Sequence, residues 1–205
     1  MLRLEIITEN NLNIAKECYH KIFSWLPVEN DPYTSFFCAD AEKRAEREQM
    51  RTKNCLVYDD EKVIGITGSY CYPFDSESGW LGWFGVLPEM RGCHYGAGIL
   101  GLHEDMLREQ GYKYSRLYTE TYNNDNARNF YEKNGYTGEL YNCPDDQLVP
   151  PGFVTIYSKA LGEYPLPLWD NRNMMLSSLE TGMVTEEQLK NIDELLRNLS
   201  AAKHE

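Results

Sequence analysis

The sequence predicts an α/β (α+β) fold, in which a mixed, mostly antiparallel central sheet of about six or seven strands is flanked by helices. Three observations support this fold class: an alternating strand opens the chain, apolar strand-like segments follow one another in its middle, and strands alternate with amphipathic helices after Pro88. With 205 residues, 42% of them hydrophobic, the chain is long enough for one substantial domain with a sizeable core.

The first elements are a strand and two helices. Residues 2–8 ("LRLEIIT") alternate apolar and polar side chains, which predicts a strand. Residues 12–23 carry apolar side chains at helical spacing, and the stretch "WLPVENDPY" ends this helix. Residues 39–51 are strongly helix-forming and charged, so we expect a second helix with a solvated face.

The middle of the chain reads as strands. Residues 54–58 and 63–72, joined by the turn "DDEK", predict a hairpin, and residues 80–87 predict a further strand that ends at Pro88. The remaining predicted elements are a helix over residues 96–110, a strand over 115–122, a helix over 125–134, and strands over 136–141 and 153–161.

The end of the chain differs in character from what precedes it. We therefore predict a domain over residues 1–161 and a C-terminal extension over residues 162–205. The extension contains a predicted helix over residues 185–201, which begins with a Thr185…Gln188 capping box and carries one apolar stripe. This stripe is expected to pack either on its own domain or on a second copy of the chain in a homodimer.

Charge and composition exclude several classes of partner. The formal net charge of −12 and pI of about 4.8 disfavour nucleic acid as a partner. The opening "MLRLEIITENNL" has no long apolar core and no run approaches 18 apolar residues, so neither a secretory signal nor a membrane partner is expected, and the cytoplasm is the expected location. The six cysteines are scattered, without zinc spacing, which predicts free thiols and no metal site.

A glycine-rich stretch, "EMRGCHYGAGIL", lies between the predicted strand over residues 80–87 and the helix over 96–110. Unpartnered N–H groups and the dipole at a helix start attract phosphate, glycine lets a ligand approach the backbone, and Arg91 can add a charged contact. The stretch lacks the GK[ST] of a P-loop and the GxGxxG of a dinucleotide site. By itself it also fits a glycine-eased turn packed against the sheet.

A second stretch, "NNDNARNFYEKNGY" at residues 123–136, indicates which function the glycine-rich stretch has. An R-G-x-x-x-G loop followed about thirty residues later by N-x-x-A-x-x-x-Y-E-K-x-G-Y resembles the GNAT family of acyl-CoA-dependent N-acetyltransferases. The resemblance covers residues 2–161 in element order and residues 83–136 in specific motif. It implies a GNAT-like fold and acetyl-CoA as cosubstrate, with no metal.

The resemblance also implies a set of binding residues. In the family, amides of the glycine loop hold the pyrophosphate of coenzyme A; here that loop comprises Arg91, Gly92, Cys93, His94, Tyr95, Gly96 and Ala97. The strand end that pairs by backbone with the pantetheine arm comprises Phe84, Gly85 and Val86. Asn124 matches an asparagine that contacts the same arm. His94 stands where the family has its first motif glycine, so a positive φ there would imply strain.

The resemblance and the chemistry of acetyl transfer make Tyr131 the first of two catalytic candidates. Tyr131 matches a tyrosine that in many members lies near the thioester sulfur, and a tyrosine hydroxyl, with a pKa of about 10, can protonate a departing thiolate. Without the motif, Tyr131 reads as a core aromatic of an amphipathic helix. A backbone N–H of the preceding strand can stabilise the oxyanion.

A general base must also take a proton from the attacking amine. Glu120 is the first candidate, although counting back from Tyr131 to the position used by some relatives reaches Thr119, and a one-residue bulge would be needed to restore Glu120. Asp75, Glu77 and a water chain remain alternatives.

The sequence therefore favours an N-acetyltransferase that acetylates a primary amine, on a small molecule or a peptide, by direct attack in a ternary complex. The alternative is a non-catalytic acyl-CoA-binding or partner-binding domain of the same fold. Trp80 and Trp83, three residues apart on a strand, should face opposite sides, one in the core and one toward the acceptor. A Cys93/His94 nucleophile is disfavoured, and His20 and His103 read as helix-surface residues.

Overall fold

The computed structural model of the chain describes residues 1–26, 32–33, 48, 50–72, 75–122, 124–144, 146, 149, 151–169 and 176. Seven strands form one mixed sheet in the order β1-β2-β3-β4-β5-β7-β6. The strands are β1 (Leu2–Ile6), β2 (Lys53–Asp59), β3 (Lys62–Tyr70), β4 (Ser78–Val86), β5 (Tyr114–Glu120), β6 (Thr137–Leu140) and β7 (Val154–Ala160). The helices are α1 (Leu12–Ile22), α2 (Tyr95–Glu109) and α3 (Asp125–Lys133).

The predicted fold class is confirmed, and so is each of these elements, with shifts of one or two residues at the ends. Neighbouring strands from β1 to β4 pair antiparallel, β4 pairs parallel with β5, and β6 pairs antiparallel with β7. The predicted tail helix and nearly all of the predicted helix over residues 39–51 lie outside the described residues.

Contacts divide the chain into two compact units. The first comprises Met1–Leu117 and Lys159–Pro165, and the second Tyr118–Ser158 and Leu166–Glu205. The core of the first unit joins the apolar side of α1 to the middle of β2 and β3, and its fully buried members include Ala15, Tyr19, Leu56, Ile64, Ile66 and Ile99. Among the described residues, no helix is both long and apolar enough to cross a lipid bilayer.

In the second unit, two residues beyond the sheet form hydrogen bonds with β6 and with the residue that follows it. Trp169 is 2% exposed, and its backbone N–H donates to both carboxylate oxygens of Glu139, at 3.0 and 3.1 Å. The Leu176 N–H donates to the Tyr141 hydroxyl at 3.0 Å, and that hydroxyl donates to the buried Asp146 carboxylate at 2.7 Å. Trp169 and Leu176, both within the predicted extension, therefore have specific partners in the second unit.

The prediction that His103 is a helix-surface residue is wrong. The side chain is completely buried on α2, its Nδ1 lies 3.4 Å from the Thr67 hydroxyl oxygen, and its Nε2 has no hydrogen-bond partner among the described residues. Burial lowers the pKa of His103 to about 3. His20 departs from the prediction less, since it is half-buried.

This burial predicts a specific acid sensitivity. Because the folded pKa lies below that of an unfolded histidine, about 6.5, the unfolded chain takes up a proton that the folded chain does not as the pH falls through this window. Relative to His103→Leu, the wild type should lose about 1.4 kcal/mol of unfolding free energy per pH unit below about pH 6.5. Urea titrations of both proteins at several pH values check this; a difference that does not change with pH contradicts it.

Candidate active site

The parallel pairing of β4 with β5 is short. The register runs from Ser78 opposite Tyr114 to Trp80 opposite Arg116, whereas β4 continues to Val86. On its other side β4 stays paired with β3 as far as Val86, which faces Gly65. In the described part of the chain, the edge of β4 turned away from β3 thus has no strand pairing past Trp80. Such an edge suits a ligand that pairs with backbone, as predicted for residues 84–86.

A β-bulge lies on β4 just before that edge. Gly85 pairs with Ile66 and Gly82 with Gly68, so Trp83 and Phe84 together lie opposite the single residue Thr67. Trp83 has a φ of +45°, which is rare for a bulky side chain. A bulge of this kind turns a side chain out of the regular alternation, and the Trp83 indole is 40% exposed while Trp80 is fully buried. The predicted split between these two tryptophans, one in the core and one outside it, is confirmed.

The end of α1 packs closely against the same strand. A Cβ added to Gly85 would lie 2.3 Å from Cγ2 of Ile22, so only glycine allows this approach. The Arg91 guanidinium joins the two elements, because its Nε donates to the Val86 carbonyl at 3.2 Å and its Nη2 to the Ile22 carbonyl at 3.5 Å. Arg91 thus holds the turn in place by these two bonds, and its predicted contact with pyrophosphate stays a prediction.

The glycine loop forms a turn that opens α2. Gly92 has a φ of +79° and His94, at the N-cap of α2, has a φ of +61°. The exposed His94 side chain makes no capping hydrogen bond, and the first turn of α2 has no acidic residue. Tyr95 ties this turn to β2, since its hydroxyl donates to the Asp59 carboxylate at 2.9 Å. The helix start therefore presents N–H groups and its positive dipole end to an anion.

The conformation of His94 makes a sharp prediction for the loop. Because glycine adopts a positive φ without strain, His94→Gly should keep or raise stability and keep or tighten acetyl-CoA binding. The matched control is Gly92→Ala in the same turn: a Cβ there would meet open space, so its penalty is purely conformational, and it should weaken both. Thermal unfolding and calorimetric titration with acetyl-CoA measure the pair. A large loss of affinity in His94→Gly would show that the imidazole itself binds.

The second unit carries the other predicted site residues. Asn124 stands at the N-cap of α3 without a capping hydrogen bond from its side chain, which instead donates to the Thr119 hydroxyl at 2.6 Å. Thr119 is half-buried near the end of β5, and Glu120, its neighbour, is exposed. Asn124 thus contacts Thr119, the residue that counting back from Tyr131 reaches as the position of the base in some relatives. The role of Glu120 as the base stays a prediction.

Tyr131 lies in a cluster of tyrosines within the second unit. Its ring centroid is 5.8 Å from that of Tyr136 and 5.7 Å from that of Tyr157, and the side chain is 8% exposed. Burial raises the pKa of the Tyr131 hydroxyl well above its usual value of 10. The hydroxyl is therefore protonated at neutral pH and suited to donate a proton or a hydrogen bond rather than to accept a proton.

The two alternative carboxylate bases, Asp75 and Glu77, both have ionic partners in the structure. Asp75 is fully buried, where it accepts a hydrogen bond from the Trp80 indole at 3.1 Å and lies 3.4 Å from Nε of the equally buried Arg116. Glu77 forms an ion pair with Lys113 on the surface. Both carboxylates are thus engaged in structural contacts. Sequence reasoning missed Arg116 altogether, since an arginine in a strand usually marks a solvent-facing position.

The disfavoured cysteine nucleophile gains no support. Cys93 is exposed in the turn, and the other four described cysteines, all free, are buried. Among the described residues, no hydrogen bond joins Cys93 to His94, as a nucleophile and its base would require. The predicted free thiols are confirmed for these five residues.

The strand end at residues 84–86 leads, through a glycine turn, into the start of α2, in the order that the resemblance predicts. The model of the Acetyltransferase (GNAT) family matches residues 10–136. The chain therefore belongs to the GNAT acetyltransferase family.

Solved structures agree in fold. A structure described as a GNAT-family acetyltransferase from Desulfovibrio desulfuricans is 16% identical, covers 79% of this chain and 99% of its own, and has a TM-score of 0.61. The PaiA N-acetyltransferase of Thermoplasma acidophilum, in complex with coenzyme A, is 18% identical over 78% and 99% of the two chains, with a TM-score of 0.55. Spermidine N-acetyltransferase of Vibrio cholerae, with CoA and spermine, is 14% identical over 78% and 95%, with a TM-score of 0.57. No curated protein matches the chain.

Proposed function

We propose that the chain transfers an acetyl group from acetyl-CoA to a primary amine by direct attack in a ternary complex. The observation that carries the proposal is the path of β4: it leaves β5 after Trp80, bulges at Trp83 and leads into the uncapped start of α2. The solved structure of the PaiA N-acetyltransferase with coenzyme A has the same fold, which supports acyl-CoA as the donor.

Binding of the donor is assigned to backbone groups of β4 and of the glycine turn, together with the Asn124 side chain. The amides of residues 91–97, at the positive end of α2, hold the pyrophosphate. The backbone of β4 at residues 84–86 pairs with the amide groups of the pantetheine arm, and the Asn124 side chain contacts the same arm. Each of these groups presents hydrogen-bond donors or acceptors that the anionic and amide parts of coenzyme A require.

Acetyl-CoA supplies a thioester whose carbonyl carbon forms a bond to nitrogen as its bond to sulfur breaks. A backbone N–H of β4 stabilises the negative charge that develops on the carbonyl oxygen. The Tyr131 hydroxyl, kept protonated by its burial, donates to the departing sulfur. Glu120, exposed at the end of β5, or a water molecule takes the proton that the amine must lose.

Donor binding is tested first by itself. A thermal-shift titration should show stabilisation by acetyl-CoA and by coenzyme A, because both carry the pyrophosphate and the pantetheine arm. Thiol release is then followed with a panel of primary amines. Absence of any shift contradicts the proposal, and a shift without thiol release favours the alternative, a non-catalytic acyl-CoA-binding domain. The loop at His94 departs from the family's glycine pattern, and this departure is the feature that favours the non-catalytic alternative.

A further inference from the structure

Three aromatic side chains of the first unit, Phe23, Trp25 and Trp83, form an exposed group that is here named the aromatic cluster. The Phe23 ring centroid lies 5.5 Å from that of Trp25, at an interplanar angle of 80°, and 5.6 Å from that of Trp83, at 75°. Trp25 is 71% exposed and Trp83 is 40% exposed. Two indoles thus stand nearly perpendicular to one phenyl ring on the surface, beside the strand edge assigned to the acyl donor.

The ring of Trp83 packs against a buried aromatic side chain. The completely buried Tyr19 lies edge-on to its ring, with centroids 5.0 Å apart and an angle of 77°. At the same time Trp83 keeps a backbone conformation that bulky residues rarely adopt. Backbone strain of this kind persists where the surroundings enforce it, and it concentrates at ligand sites. A strained residue that also exposes a large ring therefore points to a ligand that contacts the ring.

Charge indicates what that ligand is. The chain carries a net charge of −12, so the electrostatic potential around it is negative and attracts cations. Aromatic faces attract ammonium groups through the ring quadrupole, and a negative surrounding strengthens that attraction. An ammonium group is thus favoured over a neutral apolar group at the aromatic cluster.

The nitrogen that attacks the thioester has to be neutral, whereas binding to aromatic faces favours the charged ammonium form. The reacting amine is therefore the wrong occupant. Resting on the proposed function, we infer that the aromatic cluster binds a second, non-reacting ammonium group of the acceptor. The acceptor is accordingly a diamine or a larger polyamine, in which one nitrogen reacts and another is held by Phe23, Trp25 and Trp83.

A matched pair of substrates tests this inference. 1,4-Diaminobutane and n-pentylamine have the same length and differ by one ammonium group in place of a methyl. The wild type should show a kcat/KM roughly fivefold to thirtyfold higher for the diamine, the range expected for a cation on aromatic faces. Trp25→Leu should reduce that preference and leave kcat/KM for pentylamine and the KM of acetyl-CoA unchanged. A preference for pentylamine in the wild type, or an equal loss for both amines in Trp25→Leu, overturns the inference.

Further variants separate binding from folding. Trp25 lies outside the strands, so Trp25→Leu should weaken diamine selectivity without disturbing the bulge, and Trp83→Phe should retain part of it. Tyr164→Leu, which removes another exposed aromatic side chain of the same unit, serves as control and should leave selectivity unchanged.

Calorimetry in the presence of coenzyme A, which carries no acetyl group, separates this inference from the proposed function. If diamine binding depends on Trp25 and Trp83 but no amine is acetylated, the aromatic cluster is a binding site for ammonium groups and the proposed catalysis is refuted. Acetyl transfer without diamine preference supports the proposed function and refutes the role of the cluster. Absence of both diamine binding and transfer refutes both.

Discussion

Tyr131→Phe is expected to lower kcat for acetyl transfer by at least about a hundredfold, the lower end of what a positioned proton donor contributes. The KM of acetyl-CoA should change much less, because phenylalanine keeps the ring packing with Tyr136 and Tyr157. Burial raises the pKa of the hydroxyl, so in the wild type this group should cause no loss of kcat up to about pH 10. Steady-state kinetics against acetyl-CoA, at a saturating amine concentration and across this pH range, measures both effects.

Tyr136→Phe is the matched control for this variant. It removes a hydroxyl from a buried ring that packs against Tyr131, so a general loosening of the tyrosine cluster would affect it as well. Turnover close to that of the wild type is expected. An unchanged kcat in Tyr131→Phe would remove this residue from the catalytic assignment, and an equal loss in both variants would show that packing is responsible.

Arg116→Met is expected to produce the largest loss of stability, about 3–5 kcal/mol of unfolding free energy, the usual cost of leaving a buried charge without its partner. Arg116 and Asp75 are both fully buried, and the Arg116 Nε also donates to the Ser78 hydroxyl at 3.0 Å. Methionine fills much of the volume of arginine but offers the Asp75 carboxylate no donor. Urea denaturation of the variant and the wild type measures the difference.

Two further variants give this result its meaning. In Arg116→Met/Asp75→Leu both charges are absent, so a large part of the stability should return. Lys21→Met breaks an ion pair with Glu17 in which both side chains are mostly exposed, and it should have no measurable effect. If Arg116→Met were as stable as the wild type, the prediction that the fold depends on the buried pair of Asp75 and Arg116 would be wrong.

Most of the fold is predictable from the sequence because its signals are local. The hairpin of β2 and β3 follows from two apolar segments around an acidic turn, and the start of α2 from glycines that follow Pro88. The positive φ of His94 was also predictable from the sequence, because the family pattern places glycine at this position.

The mistaken and missing predictions have physical causes. His103 lies four residues after Ile99 and four before Leu107, both buried on α2, so helical spacing already placed it on the buried side, and its polarity outweighed that signal. The Asp75–Arg116 pair joins residues far apart in the chain, and no local pattern indicates which partner a strand arginine has. The bulge at Trp83 likewise depends on how β4 pairs with β3, which the alternation of side chains does not reveal.

Transfer of an isotopically labelled acetyl group tests the central claim most directly. The wild type, incubated with labelled acetyl-CoA and a panel of mono- and diamines, should produce a labelled N-acetyl amine and an equal amount of free coenzyme A. Tyr131→Phe should produce far less, and Tyr136→Phe nearly as much as the wild type. Binding of acetyl-CoA without label in any amine would contradict the assignment of acetyl transfer.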